Sequence, residues 1–123
     1  MASFADYVAS RPAAEQVQAD ILRYTEVLCE ALAQNFRSRN NGKLDGYTFT
    51  IETARKYHKV IMTTGGGSRS IHAFVDTKNG DVYKAASWKA PAKHVRFNVL
   101  DEASREEMLE RADWSGGYLY LNK

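Results

Sequence analysis

From Asp81 to Asp101 the chain reads DVYKAASWKAPAKHVRFNVLD, in which Lys84, Lys89, Lys93 and Arg96 are interleaved with Tyr83, Trp88, His94 and Phe97 and no acidic residue intervenes. Arginine offers phosphate oxygens a planar fork of donors, lysine offers a point charge, and an aromatic face stacks on a base or holds a cation. The mixture suits a nucleotide better than a bare phosphate. Each charge-assisted hydrogen bond contributes about 1.5 to 3 kcal/mol, so two or three with one stacked ring give tight binding after ordering costs. In the competing reading the rings are core anchors and the lysines face water. That reading fits Phe97, stays open for Trp88, and fits Arg96 and Asn98 less well, since both follow Pro91 where strand periodicity is weak.

Arg55, Lys56 and Lys59 form a second basic cluster, with His72 and Lys84 as possible neighbours across a sheet. Solubility explains such a cluster in a monomer, whereas in a symmetric assembly copies of one arginine could converge on a shared anion. GGGSRS, residues 65–70, lacks the lysine and following helix of a Walker loop and reads as a hairpin connection. A functional variant of that reading makes it a lid, closing glycine amides and Arg69 over an anion.

Catalytic chemistry is poorly provided for. His58, His72 and His94 fall on different expected elements and none has metal-ligand spacing with another ligating side chain. Cys29 lies within a helical apolar stripe, where a thiol packs rather than attacks. Carboxylates concentrate in the two expected helices, and the strand region holds only Glu52, Asp76 and Asp81. We therefore expect no enzyme, metal or cofactor, with a tertiary-assembled nucleotide-processing site kept as an alternative.

These residues need a scaffold, and the periodicity supplies one. Ser10, Arg11 and Pro12 open the clearest helix, with serine as cap and proline in the first turn, after a shorter turn capped by Ser3 with Asp6. Val17, Ile21, Tyr24, Leu28, Leu32 and Phe36 recur every three or four residues, and NNGKLDG, residues 40–46, stops the helix. Residues 47–51, 57–63, 71–76 and 81–86 read as strands, the last two joined by TKNG, where Asn79 and Gly80 both tolerate positive φ. Residues 101–113 form a short helix opened by Asp101, and YLYLN is expected to be a final strand. The fold class is α+β: a long N-terminal helix, an antiparallel sheet, one short C-terminal helix and a last strand.

At 123 residues this is a single domain, with a helical part at 1–40 and a β-rich ligand-binding part at 47–123. A net charge of +2 is too small for a binder of long nucleic acid, no long apolar run suggests a membrane, and a lone cysteine fits a reducing compartment. A helix from Pro12 to Arg39 would run roughly 40 Å, longer than the roughly 35 Å width of a compact chain this size. Its overhanging end is expected to pack on another copy.

Arg55-Lys56-Tyr57, SRSIHAFVD, GDVYKAASWKAPAKHVRFN and ADWSGGYLY together resemble the first Thoeris anti-defence family of small phage proteins, over roughly residues 47–120. The resemblance implies a sponge: a protein of the host cytoplasm that sequesters the cyclic ADP-ribose isomers of bacterial TIR-domain defence without degrading them. Relatives that form hexamers also bind the cyclic di- and trinucleotides of CBASS defence at separate sites, so a homo-oligomer, dimer or hexamer, is implied. Carried over by motif, the ligand contacts are His72, Phe74, Lys84, Trp88, Arg96 and Asn98, with Arg55, Lys59 and Arg69 at a second anion site. The alternative from another class is a phage protein that blocks a host protein with its apolar helix and aromatic segment.

Overall fold

The computed structural model describes the backbone of residues 4–39 and 46–120, with side chains from residue 13 onward in the first of these stretches. One helix, α1, spans Phe4–Arg39, and five strands follow: β1 (Thr48–Thr53), β2 (Tyr57–Thr63), β3 (Arg69–Asp76), β4 (Asp81–Lys84) and β5 (Phe97–Asn98). Helix α2 (Glu102–Arg111) and a 3-10 turn (Gly117–Leu119) complete the described chain. The strands form one antiparallel sheet in the order β1-β2-β3-β4-β5, each pairing with its sequence neighbour.

α1 starts earlier than expected. Its backbone is already helical at Ser10, so serine is not a cap and Pro12 sits inside the helix. Proline inside a helix forfeits one backbone bond and its ring crowds the preceding turn, a cost that the alanines following it, strong helix formers, help to offset. The turn expected at residues 40–46 lies, Gly46 apart, outside the described residues, as does Ser3. At 36 residues α1 is about 54 Å long at about 1.5 Å per residue.

Ile21, Thr25, Leu28, Cys29, Leu32 and Phe36 are the face that α1 buries, against Phe49, Val60, Ala73, Val75 and Val82 of the sheet. Thr25 satisfies its buried hydroxyl by donating to the Ile21 carbonyl at 2.7 Å. Met108 and Ala112 of α2, with Val99, Tyr118 and Leu119, close the core at the β5 side. Residues 13–19 of α1 are exposed, but Glu15, Gln18 and Ala19 still face residues 53–55 and 77–78 across a groove, so this part of the helix does not overhang its own domain.

The TKNG hairpin forms as expected, and one other expectation is corrected. The TKNG hairpin has positive φ only at Gly80 (79°), because the Asp76 carboxylate accepts from the Lys78 and Asn79 amides and holds Asn79 in the ordinary region. The final strand is a 3-10 turn instead: Gly116 enters the left-handed region (φ 86°) and turns Tyr118 and Leu119 inward to the core. The fifth strand comes from Phe97 and Asn98, whose two residues are too few to show a period.

Candidate functional site

β3 has different neighbours along its length. It pairs with β2 from Arg69 to Asp76 but with β4 only at Ala73, Phe74 and Val75, so residues 69–72 present one backbone edge that no strand takes up. The register with β2 also shifts there: Val60 faces Ala73 and Ile61 faces Ile71, leaving His72 as the extra residue of a bulge. Beyond Lys84 the chain veers from β3 and returns through an isolated bridge between Ala85 and Pro91. β3 and the β4 exit thus form a split sheet with polar backbone along one wall.

Two cavities occupy the split. One, of about 180 Å³, is lined by Met62, Ser70, Ile71, His72, Lys84 and Ala85 together with Trp114–Gly116, Leu119 and Tyr120 of the C-terminal segment. The other, of about 340 Å³, is lined by Arg69, Ser70, Ile71 and residues 85–88. They share Ser70, Ile71 and Ala85, and neither lining includes a carboxylate. Each end carries a cation and a ring. The Lys84 ammonium lies 4.7 Å from the Tyr120 ring centre, and at the other end the Arg69 guanidinium and Lys59 ammonium lie 5.3 and 5.7 Å from that of Trp88. Trp88 is 41% exposed, so it stands over the surface and is not a core anchor. Arg69 also pairs with Glu52 at 2.9 Å, an exposed bridge of little energetic weight.

His72 belongs to the wall. It is buried, shares a 2.8 Å hydrogen bond between its Nε2 and the Tyr118 hydroxyl, and meets Phe49 edge to face at 5.7 Å. Burial holds its pKa down, to about 4, against a smaller upward pull from Asp113, so the ring is neutral at pH 7. It therefore offers a ligand a polar edge without charge. Burial likewise pushes the Tyr118 hydroxyl well above its ordinary range, keeping it protonated.

The remaining candidates are placed elsewhere. Phe74 is fully buried, edge to face with Tyr57 at 5.4 Å and paired with Tyr83, so it packs under rings and meets no ligand. Arg96 donates through Nε to the Leu119 carbonyl at 2.6 Å and through Nη1 to the carbonyls of Lys93 and His94. Those contacts clamp a loop in which His94 takes a left-handed φ of 74°, a conformation costly for a side chain with a Cβ. Asn98 has every side-chain donor and acceptor engaged. Its amide donates to the Asn79 carbonyl and to Asp81, and its Oδ1 accepts from the Leu100 and Asp101 amides. Neither residue lines either cavity, and both support the site from outside.

This arrangement reverses one expectation. Arg96→Ala is expected to lower the stability of the ligand-free protein by about 2 kcal/mol, since carbonyls lose charge-assisted donors and the His94 loop loses its clamp. A thermal melt unchanged from wild type would show the clamp to be dispensable.

The second basic set is divided, with Arg55 apart from the other two. Arg55 lies in the turn before β2, while Arg69 pairs with Thr63 at the other end of that strand, about 20 Å away at about 3.3 Å per residue. Lys59 joins Arg69 at Trp88. Arg55 instead lines a groove of about 450 Å³ under α1, with Glu15, Leu22, Thr53, His58, Thr77 and Lys78. Cys29 is buried and its thiol is pushed up to about 12 by burial and by Glu26 and Glu30, which disarms it as a nucleophile.

The sequence reads Ser70 only as part of the GGGSRS connection, and Ser115, Gly116 and Tyr120 escape it. Their only signal was the Gly116-Gly117 pair beside an aromatic run, which alternation disguised as a strand. Searches of curated proteins and of solved structures give no match. The model of the family of unknown function DUF7717 matches residues 4–121, and the chain belongs to that family.

Proposed function

We propose that this chain is a phage anti-defence sponge, which captures cyclic ADP-ribose-type signals in the host cytoplasm and holds them without turnover. The observation that carries the reading is the carboxylate-free split, with Lys84 and Tyr120 at one end and Arg69 and Trp88 at the other, joined through Ser70, Ile71 and Ala85. An anionic ligand with a flat base finds cations, a stacking face and unpaired backbone groups in one cleft. His72 adds a neutral hydrogen-bonding edge. Arg55, in its separate groove, is the residue we assign to a second site for cyclic di- or trinucleotides.

Sequestration works by equilibrium, so free signal falls only as far as affinity and protein concentration allow. At ligand concentrations 100 times Kd, a cyclic ADP-ribose isomer is expected to raise the melting temperature by roughly 10 °C. Denaturing that complex should return intact ligand on mass spectrometry. Lys84→Ala and Trp88→Ala should each weaken capture at least tenfold, about 1.4 kcal/mol, while leaving the ligand-free melt close to wild type. A linear or hydrolysed product would transfer the site to a nucleotide-processing enzyme. No melting shift with any cyclic nucleotide would overturn the sponge and favour a protein-blocking role.

A further inference from the structure

The groove under α1 that holds Arg55 carries both signs of charge. Glu15 comes from the helix, while Arg55 and Lys78 come from the two hairpin turns that face it, around a space of about 450 Å³. That volume falls within the roughly 300 to 1,000 Å³ of small-ligand sites. The turns are tied to each other: the Thr77 amide donates to the Lys56 carbonyl at 2.9 Å, and the Thr77 hydroxyl to the Arg55 carbonyl at 3.4 Å. His58 shares a 2.8 Å hydrogen bond with the Thr53 hydroxyl through Nδ1, and burial holds its pKa below the ordinary value, so it lines the groove as a neutral ring. Glu15 does not close on either cation, since the ion pairs among the described residues join other side chains. Opposite charges that share a groove without pairing suit a ligand with donors at one end and an anion at the other.

We infer that this groove selects guanine, with Glu15 reading the base while Arg55 and Lys78 hold the phosphates; the inference rests on the assignment of the Arg55 groove to cyclic oligonucleotides. An ionised carboxylate only accepts hydrogen bonds. The Watson–Crick edge of guanine offers it two adjacent donors, N1–H and the N2 amino group, which match its two oxygens. Adenine sets its amino group beside the N1 lone pair, and that lone pair is repelled. The carboxylate also keeps phosphates from the helix side, so the ligand lies one way round, base toward α1 and phosphates toward the turns. Ala19, Leu22 and Ala54 give the faces of the base apolar contact. Gln18, one turn from Glu15, presents a donor and an acceptor together and so does not choose between purines. A carboxylate that took ribose hydroxyls instead would treat the two bases alike.

Isothermal titration of the full chain with cyclic di-GMP and with cyclic di-AMP tests the assignment. Wild type is expected to bind cyclic di-GMP about tenfold more tightly or better, the discrimination that one bidentate base contact supplies. Glu15→Gln keeps the size of the side chain but sets a donor beside an acceptor, the complement of adenine, and should reverse the preference. Glu15 is exposed, so this variant keeps the fold, which its thermal melt checks. Arg55→Ala should weaken both ligands to a similar extent, since it acts on the phosphates. Equal affinities in wild type, or a guanine preference that survives in Glu15→Gln, would overturn the inference while leaving the groove a cyclic-oligonucleotide site. Binding of neither ligand would overturn both, as would binding that Lys84→Ala abolishes and Arg55→Ala spares, which places the ligand in the split.

Discussion

Taking the protein from pH 6.5 to pH 4 is expected to remove on the order of 3 kcal/mol of stability through His72 alone. The ring is enclosed by Phe49, Tyr118 and Gly116, and a folded chain that buries it resists protonating it. An unfolded chain protonates it near the ordinary 6.5, whereas the folded chain does so only near 4. Across that window the unfolded state therefore binds more protons, and stability falls as pH falls. Above pH 6.5 the contribution of His72 is fully present, and by pH 4 most of it is gone. His58, also shifted downward by burial, adds in the same direction. Urea midpoints at pH 7.5, 5.5 and 4 measure the loss, and His72→Gln, which keeps a polar side chain without a titration, should flatten it. Equal pH profiles for wild type and His72→Gln would remove His72 from the explanation.

Gly46→Ala is expected to cost about 3 kcal/mol, a fall in melting temperature of roughly 10 °C for a chain of this size. A methyl group at Gly46 would stand 2.1 and 2.2 Å from Cε1 and Cζ of Phe36. The ring has nowhere to retreat. It stacks on Tyr47 at 4.6 Å and meets the edge of Trp114 at 5.2 Å, and Trp114 is tied in turn by its backbone amide to Asn35 of α1. Pairing Gly46→Ala with Phe36→Leu should recover part of the loss, because the smaller side chain leaves room for the methyl. Calorimetry on the two single variants and the double variant measures that coupling. A melt of Gly46→Ala equal to wild type would show that the ring is not pinned.

Strands and helices with a strong period were readable from the chain. The 57–63 strand matches β2 residue for residue, and the α1 stripe through Ile21, Leu28, Leu32 and Phe36 is the buried face. What periodicity misses is decided by contacts distant in sequence. Phe74 has the aromatic character of a ligand contact, but its place under Tyr57 and Tyr83 follows from the β3 register. Arg96 carries the right charge, yet its partners are carbonyls, including one 23 residues away at Leu119, which no local pattern announces. His72 looks like a regular strand residue, and only the bulge turns it toward Tyr118. Lys84 and Trp88 reach the split because β4 ends at Lys84 while β3 goes on to Arg69, a property of two strands jointly.

The strict sequential order of the sheet also sets a timetable. In a meander each strand pairs with the one just synthesised, so α1 and β1 to β4 close short loops and zip together quickly. The wall of the split is different: the Trp114 amide reaches back 79 residues to Asn35, and Tyr118 reaches back 46 residues to His72. Those closures carry the largest loop entropy and come last. Once α1 and the meander have assembled, the cleft is completed only when residues 114–118 dock on them.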